Sequence, residues 1–259
     1  MPLAGGRGMS CPEDRAVTAL PRIEVLVFEG CPHAEQAIEL VRRVAVRLVP
    51  GASVERVEID TPEKATEVGF IGSPSIRVDG VDIEGKHAAR GSLCCRTYED
   101  GAGVPPEWRV EAALLRAMKP RGILFLCVAN SARSQIAEGL ARAMAPSAVK
   151  VWSAGSRPSS VRPEAVTVLR EIGVDISRHR SKGVAEIPAP EVDTVITLCG
   201  KKECPLFLGK ATRLHWRLPD PARVQGCEQE RLAAFRATRD ELRRRLEALL
   251  GVAQQGDMR

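Results

Sequence analysis

Apolar and polar positions along the chain fall into two successive series of short apolar runs and helical repeats. IEVLVF at 23–28 is a short apolar run, and after Gly30-Cys31-Pro32 the apolar positions from His33 to Leu48 recur at helical spacing. SVERVEI at 53–59 reads as a second strand behind Pro50-Gly51. A short acidic helix near 62–67 and the run SIRV at 75–78 follow, and Asp79-Gly80 reads as a hairpin turn into VDI at 81–83. Residues 105–118 (PPEWRVEAALLRAM) close the series as an amphipathic helix with Pro106 in its first turn. The order is β-α-β-α-β-β-α.

The second series restarts with ILFLC at 123–127, a small-residue loop and a helix over 134–145. VKVW at 149–152 reads as a strand, and VRPEAVTVLREIG at 161–173 as a helix closed by Gly173. DTVITL at 193–198 lacks alternation, which marks a strand buried on both faces. The last helix spans about 228–250, with Phe235, Leu242, Leu246 and Leu249 on one face. Arg243, Arg244 and Arg245 fall largely off that face and read as a solvated helix surface. Strands alternating with helices imply an α/β fold, here a parallel sheet with helices on both faces. The expected division is a leader at 1–21, a first domain at 22–118, a linker at 119–122, a second domain at 123–251 and a tail at 252–259.

Composition narrows the class. Of 259 residues, 44% are hydrophobic and 27% charged, an ordinary globular balance, and no stretch approaches the ~18 apolar residues of a membrane span. The first twenty residues lack the apolar centre of a signal peptide, so the expected location is cytoplasmic. Lys and Arg exceed Asp and Glu by 38 to 33, and the charges are interspersed. That suits a small anion rather than a nucleic-acid groove, and 3% aromatics leave little to stack bases on. Neither nucleic acid nor a membrane is expected as a partner. Eight cysteines in such a chain point to catalysis, redox chemistry or metal binding before a disulfide framework.

The sharpest chemical signal is Cys127-Val128-Ala129-Asn130-Ser131-Ala132-Arg133-Ser134, between a strand and a helix. Small residues let successive N–H groups turn inward as a nest for a tetrahedral oxyanion, and the helix directs its positive end to the same point. Arg133 adds a fork of donors matching two oxygens, and the field favours the nucleophilic thiolate of Cys127, to which Ser134 can hydrogen-bond. Cys199-x4-Cys204 is compatible with redox exchange. It is also the spacing of a zinc half-site, which would need further ligands such as Cys227 and His215.

CVANSARSQIAEGLAR, followed in order by WSAG, GVDIS, VITLCG and HW-RLPDPARVQG, resembles the thioredoxin-coupled arsenate reductases built on the low-molecular-weight tyrosine phosphatase fold, over about residues 121–250. The resemblance implies that Cys127 attacks arsenate and that Asp220 protonates the departing oxygen. Cys199 would then displace arsenite by forming a disulfide with Cys127, and Cys204 would move the oxidation to a Cys199–Cys204 bond. Thioredoxin, or a thioredoxin-like domain, would be the electron donor, with no tightly bound cofactor. In a regular helix positions i and i+5 stand roughly 8.6 Å apart, beyond the about 7 Å a disulfide tolerates. Residues 199–208 are therefore expected to change conformation with redox state. Some relatives hold potassium, and Asn130, Glu138 and Ser153 match that shell, but Lys182 would replace the ion, so no potassium dependence and no metal are expected. The alternatives are a phosphatase using Cys127, Arg133 and Asp220, and an arsenic- or redox-sensing binding protein without turnover.

The first series resembles a thioredoxin-like domain in its element order and two local motifs. Cys31-Pro32 opens a helix, and Gly72-Ser73-Pro74-Ser75 is similar to the segment carrying that fold's cis-proline. Where a Cys-x-x-Cys partner would stand, the chain has Ala34, so an auxiliary redox role for Cys31 calls on Cys95, or on Cys94 beside it. A scaffold or docking role without redox chemistry is the other reading of this domain.

Overall fold

Two four-stranded sheets follow one another along the chain in a computed structural model, which describes residues 19–87, 91–99, 101–200, 207 and 209–252. The front sheet is built from β1 (Ile23–Val27), β2 (Val54–Glu58), β3 (Ser75–Val78) and β4 (Val81–Asp82), in the spatial order β2-β1-β3-β4. β1 runs parallel to β2 and antiparallel to β3. Asp79 and Gly80 both take positive φ, 51° and 78°, as a two-residue hairpin turn requires. Helix α1 (Ala34–Leu48) buries Ile38, Val41, Val44, Ala45 and Leu48, the positions its period assigns to one face. The short α2 (Pro62–Glu67) is capped by Thr61, whose hydroxyl accepts from the Lys64 N–H at 3.2 Å. Helix α3 (Glu107–Ala117) closes this half, with Pro106 at its N-cap rather than inside the first turn.

The back sheet is parallel throughout. Its strands are β5 (Gly122–Cys127), β6 (Lys150–Gly155), β7 (Thr194–Thr197) and β8 (Thr212–His215), in the order β6-β5-β7-β8. All six residues of β5 are buried, because both faces of the sheet are covered. Ile123, Phe125 and Ile196 pack with α4 (Arg133–Met144), α5 (Pro163–Arg170) and α6 (Glu228–Leu250). Leu124, Leu126 and Val195 pack on the other side with Ile187 and Val192, near the 3₁₀ helices Val184–Glu186 and Ala189–Glu191. Two boundaries and one element differ from the periodicity. β6 continues through Ser153-Ala154-Gly155, α5 stops at Arg170, and β8 is a strand whose four residues, TRLH, carry too little apolar pattern to announce it.

The two halves share one apolar cluster that runs from Ile23 and Val41 through Leu114 and Leu115 to Leu140 and Phe235. Its bridge is α3, which packs on α1 on one side and on α6 on the other. Trp108 lies in that bridge with the guanidinium carbons of Arg109, Arg244 and Arg245 at 4.6, 4.8 and 5.4 Å from its ring centre. Glu99 pairs with Arg109 and accepts from Arg244 at 2.7 Å. The arginine run of α6 is therefore not simply a solvated surface: Arg243 faces water, whereas Arg244 and Arg245 cover an aromatic ring contributed by the other half. Guanidinium groups do this readily because they are weakly hydrated and planar. Trp108→Ala is expected to lower the unfolding free energy by about 3–5 kcal/mol, read as a lower urea midpoint by circular dichroism; an unchanged midpoint would show that the α3–α6 seam contributes little.

Candidate functional site

The C-terminal ends of β5 and β7 meet the N-terminus of α4, the place where open parallel sheets gather their ligand-binding loops. Cys127 is the last residue of β5 and is buried. From there the chain runs through Val128 to Ala132 into α4, and what happens to its carbonyls decides what the loop can bind. The N–H groups of Arg157, Ser159 and Arg162 donate to the carbonyls of Val128, Ala129 and Ser131 at 2.9, 3.0 and 2.9 Å. The carbonyl of Asn130 accepts from Gln135 Nε2 at 3.1 Å and from Ser181 Oγ at 2.6 Å. With four successive carbonyls drawn outward, the N–H groups are left for the inner side, together with those of the first turn of α4, which have no partner within the helix.

Asn130 holds this turn in place. It sits at φ 46°, in the left-handed region, where asparagine is among the few side chains tolerated. Its amide is fully buried and has partners for both its donors and both its acceptor positions. Nδ2 donates to Ser134 Oγ at 2.9 Å and Ser153 Oγ at 2.8 Å, and Oδ1 accepts from Gln135 Nε2 at 2.9 Å and from the Lys182 N–H at 2.8 Å. The Asn130 N–H donates to Cys127 Sγ at 3.2 Å, and Ser134 Oγ lies 2.9 Å from the same sulfur. Because Ser134 already accepts from Asn130, its proton is available to the sulfur, and a thiolate would receive two hydrogen bonds. Gly155 fits under the loop only without a side chain, since a Cβ there would stand 2.5 Å from the Val128 oxygen and 2.8 Å from the Asn130 nitrogen.

A second layer supports the first. Gln135 spends its amide N–H groups on Asn130 and on the Arg180 carbonyl, leaving Oε1 as the acceptor for His179 Nδ1 at 3.0 Å. Burial lowers the pKa of His179, so the ring stays neutral near pH 7 and donates from Nδ1. Glu138, 1% exposed, accepts from Ser153 and pairs with Arg142 at 2.7 Å and with Lys182 Nζ at 3.0 Å. The oxygens of the potassium shell named from the sequence are thus already turned to an ammonium, a guanidinium, a hydroxyl and amide donors. That donor set does not fit an additional monovalent cation.

Arg133 and Asp220 form the far wall. Arg133 Nη1 donates to the carbonyls of Leu198 and Leu218 at 3.3 and 3.1 Å, and Nη2 meets Asp220 Oδ2 at 2.8 Å. The other Asp220 oxygen accepts from the Ala222 N–H at 3.2 Å, which fixes the carboxylate as the cap of the turn Pro221–Arg223. Cys127, Val128, Ala129, Ser131, Ala132, Arg133 and Asp220 line a pocket of about 150 Å³ together with Arg157 and Arg223. The last two are absent from the sequence-derived set, as is Gln135. Their signal was present only as Arg157 just past WSAG and Arg223 inside LPDPAR.

The remaining candidates divide by location. Cys199 is fully buried just beyond β7. The β5–β7 register pairs Leu126 with Thr197, so one further step sets Leu198 beside Cys127 and Cys199 immediately after it. Cys204 and most of the 199–208 segment lie outside the described residues. Cys227 is exposed at the N-cap of α6, where its N–H donates to Glu230 at 2.8 Å. Among the described residues no group of three or more His, Cys, Asp or Glu side chains is placed to hold a metal, and no helix is long and apolar enough to cross a membrane.

In the front half the Ser73–Pro74 peptide is cis, and Ser73 Oγ accepts from the Phe28 N–H at 3.4 Å, beside the turn that carries Cys31. Cys95 bridges Ser73 through the backbone, and both it and Cys94 are exposed. Two of the three residues that complete Cys-Arg-Thr-Tyr have structural partners. Buried Arg96 is held by Asp82 at 2.6 Å and Glu84 at 2.7 Å, and Tyr98 donates to the Pro74 carbonyl at 2.8 Å.

Comparison with known proteins agrees with the back half. A protein of Bacillus subtilis strain 168 named arsenate reductase is 41% identical over 131 residues, a match covering 50% of this chain and 94% of that protein. A protein of the same name from Halalkalibacterium halodurans is 39% identical over the same coverage. A solved structure described as an arsenate reductase in oxidized state is 32% identical, covers 51% of this chain and 97% of its own, and superposes with a TM-score of 0.44. Residues 122–257 match the family described as low molecular weight phosphotyrosine protein phosphatase, and this chain belongs to that family.

Proposed function

We propose that this chain is an arsenate reductase. The Cys127 thiolate attacks arsenic, and one arsenate oxygen leaves as water with a proton from Asp220, giving a thiol–arsenate adduct with arsenic still pentavalent. Cys199 then attacks the Cys127 sulfur. The S–S bond forms, the S–As bond breaks, and its electron pair passes to arsenic, which departs as trivalent arsenite. Cys204 attacks Cys199, freeing Cys127 as thiolate and leaving a Cys199–Cys204 disulfide. A dithiol donor of the thioredoxin type, external or supplied by the front half, takes up that oxidation. No tightly bound cofactor is needed.

The observation that carries this reading is the register of β5 and β7, which sets buried Cys199 one residue past the neighbour of Cys127. Phosphoester hydrolysis would use the same loop, Arg133 and Asp220, but it has no step for a second thiol. The front half enters as a thioredoxin-like domain with Cys31, Cys95 and Pro74 at one end of its sheet, as an auxiliary thiol site.

Fully reduced protein given arsenate without an external reductant is expected to release about one arsenite per chain, the stoichiometry of one dithiol, with the oxidation mapped by mass spectrometry to Cys199–Cys204. Cys199→Ser should abolish release while calorimetry still detects phosphate binding; hydrolysis of a phosphate ester with no arsenite from the parent protein would assign a phosphatase instead. Steady-state arsenate reduction should be equal in potassium and sodium chloride at one ionic strength, whereas Lys182→Ala, which leaves Glu138 with only Arg142 and the Ser153 hydroxyl, should become faster in potassium. Potassium stimulation of the parent protein would refute the built-in ammonium.

A further inference from the structure

Away from the oxyanion pocket, one pair of soft nucleophiles stands apart. Cys94 and Cys95 are adjacent, and both are free and exposed. In an extended chain neighbouring side chains point to opposite faces, which would set Cys94 on the inner side with Arg96. Arg96 is indeed buried, held by Asp82 at 2.6 Å and Glu84 at 2.7 Å. The chain bends at Cys94, however, and both cysteines face water. Their backbone is pinned on either side: the Ser73 N–H donates to the Cys94 carbonyl at 2.8 Å, and the Arg96 N–H donates to the Ser73 carbonyl at 2.9 Å. At Gly72, φ 121°, a Cβ would stand 3.0 Å from the Cys94 oxygen, so the turn before Pro74 lies directly against the pair.

Two features select what such a pair can hold. Adjacent Cα atoms are about 3.8 Å apart across a trans peptide, whereas a disulfide asks for about 4.4 Å or more, so the two sulfurs do not readily close on each other. A third atom between them lifts that constraint. Among the described residues no further His, Cys, Asp or Glu completes a set of three with them, which does not suit zinc and its four ligands. Mercury(II) and copper(I) prefer two sulfurs in line, a span that sequence neighbours do not offer. Trivalent arsenic is soft and pyramidal: it takes two thiolates near a right angle and keeps an oxygen or carbon of its own.

We propose that Cys94 and Cys95 form a two-thiol site for trivalent arsenic, through which the front half binds arsenite. Arsenite, as As(OH)3, exchanges two As–O bonds for two As–S bonds. Each thiol gives up its proton, two waters leave, and arsenic stays trivalent with one hydroxyl. No electrons move, and an incoming dithiol reverses the exchange by the same route. The second As–S bond forms within one molecule, on a backbone already fixed, so the pair holds arsenic far more tightly than either thiol alone. This inference rests on the reductase reading above for the source of the arsenite, whereas the binding of added arsenite does not require turnover.

The test treats the reduced full-length protein, in excess monothiol, with enough phenylarsine oxide for every cysteine pair; this trivalent arsenical bridges two thiols and releases one water. Remaining thiols are then alkylated and the peptides weighed. Cleavage after Lys and Arg yields Gly91–Arg96, which carries Cys94 and Cys95 and no other cysteine. That peptide is expected to bear one phenylarsenic group with neither sulfur alkylated, and arsenite added first should prevent the labelling. Cys94→Ser and Cys95→Ser should each weaken capture there about 100-fold or more, the loss of the intramolecular second bond, while Cys31→Ser leaves it unchanged. Alkylation of both sulfurs as fast with the arsenical as without it would overturn the site, as would arsenic bridged between Cys95 and Cys31. Arsenite in the single-turnover assay is counted after a small dithiol has stripped it from the protein. If that assay yields none while Gly91–Arg96 still takes up phenylarsine oxide, the reductase reading fails and the two-thiol site stands; arsenite production with Cys94 and Cys95 left unlabelled is the reverse result.

Discussion

Everything at the candidate oxyanion site depends on one residue held in a conformation it would not choose alone. Asn130 at φ 46° reverses the peptide plane between Cys127 and α4, and the cost of that backbone state is met by four side-chain hydrogen bonds in a site without water access. Glycine would reach the same dihedral angle more easily but would leave Ser134, Ser153, Gln135 and the Lys182 N–H without their common partner. Buried donors and acceptors are expensive to abandon, so the network makes the loop a preformed cradle rather than one assembled on binding.

The supporting layer explains why so many charged groups lie behind the candidate anion site. Glu138 would repel an oxyanion if it were unpaired, yet it is buried between Lys182, Arg142 and Ser153. Its role is to fix Ser153, and through it the Asn130 amide. Arg157 and Arg223 line the outer side of the same pocket, and both residues are exposed. The cluster behind the loop therefore buries its carboxylate with compensating partners.

The seam between the halves follows the same economy of polar groups. α3 closes the front half by sequence order, and by packing it also completes the back half, with Trp108 sealed under Arg244 and Arg245. Arg96 ties Asp82 and Glu84 together within the front half, and Arg109 and Glu99 carry the ion pairs on to Arg244. The end of the front sheet that holds Cys95 is thereby joined through side chains to the outer helix of the back half.

Much of this was legible along the chain. Periodicity located the helices at 34–48 and 228–250 and the runs that became β1, β3, β5 and β7, because their burial is set by local alternation or continuous apolarity. The spacing Cys127-x5-Arg133 between a strand and a helix marked the stretch that became the β5–α4 loop of the candidate site, since small residues before a helix N-terminus suit an anion. What the sequence could not carry were relations between distant segments. The edge strand β8 exists only because β7 offers it a partner. The outward carbonyls of the loop depend on residues 157, 159 and 162, and the Arg133–Asp220 contact joins residues 87 positions apart. Arg244 and Arg245 read as a solvated helix surface in one dimension, and nothing along the chain set Arg157 or Arg223 apart as pocket residues. Only the tertiary structure decides which guanidinium faces water, which covers a tryptophan and which lines a pocket, because a charge acts through its neighbours in space and those neighbours are not adjacent in sequence.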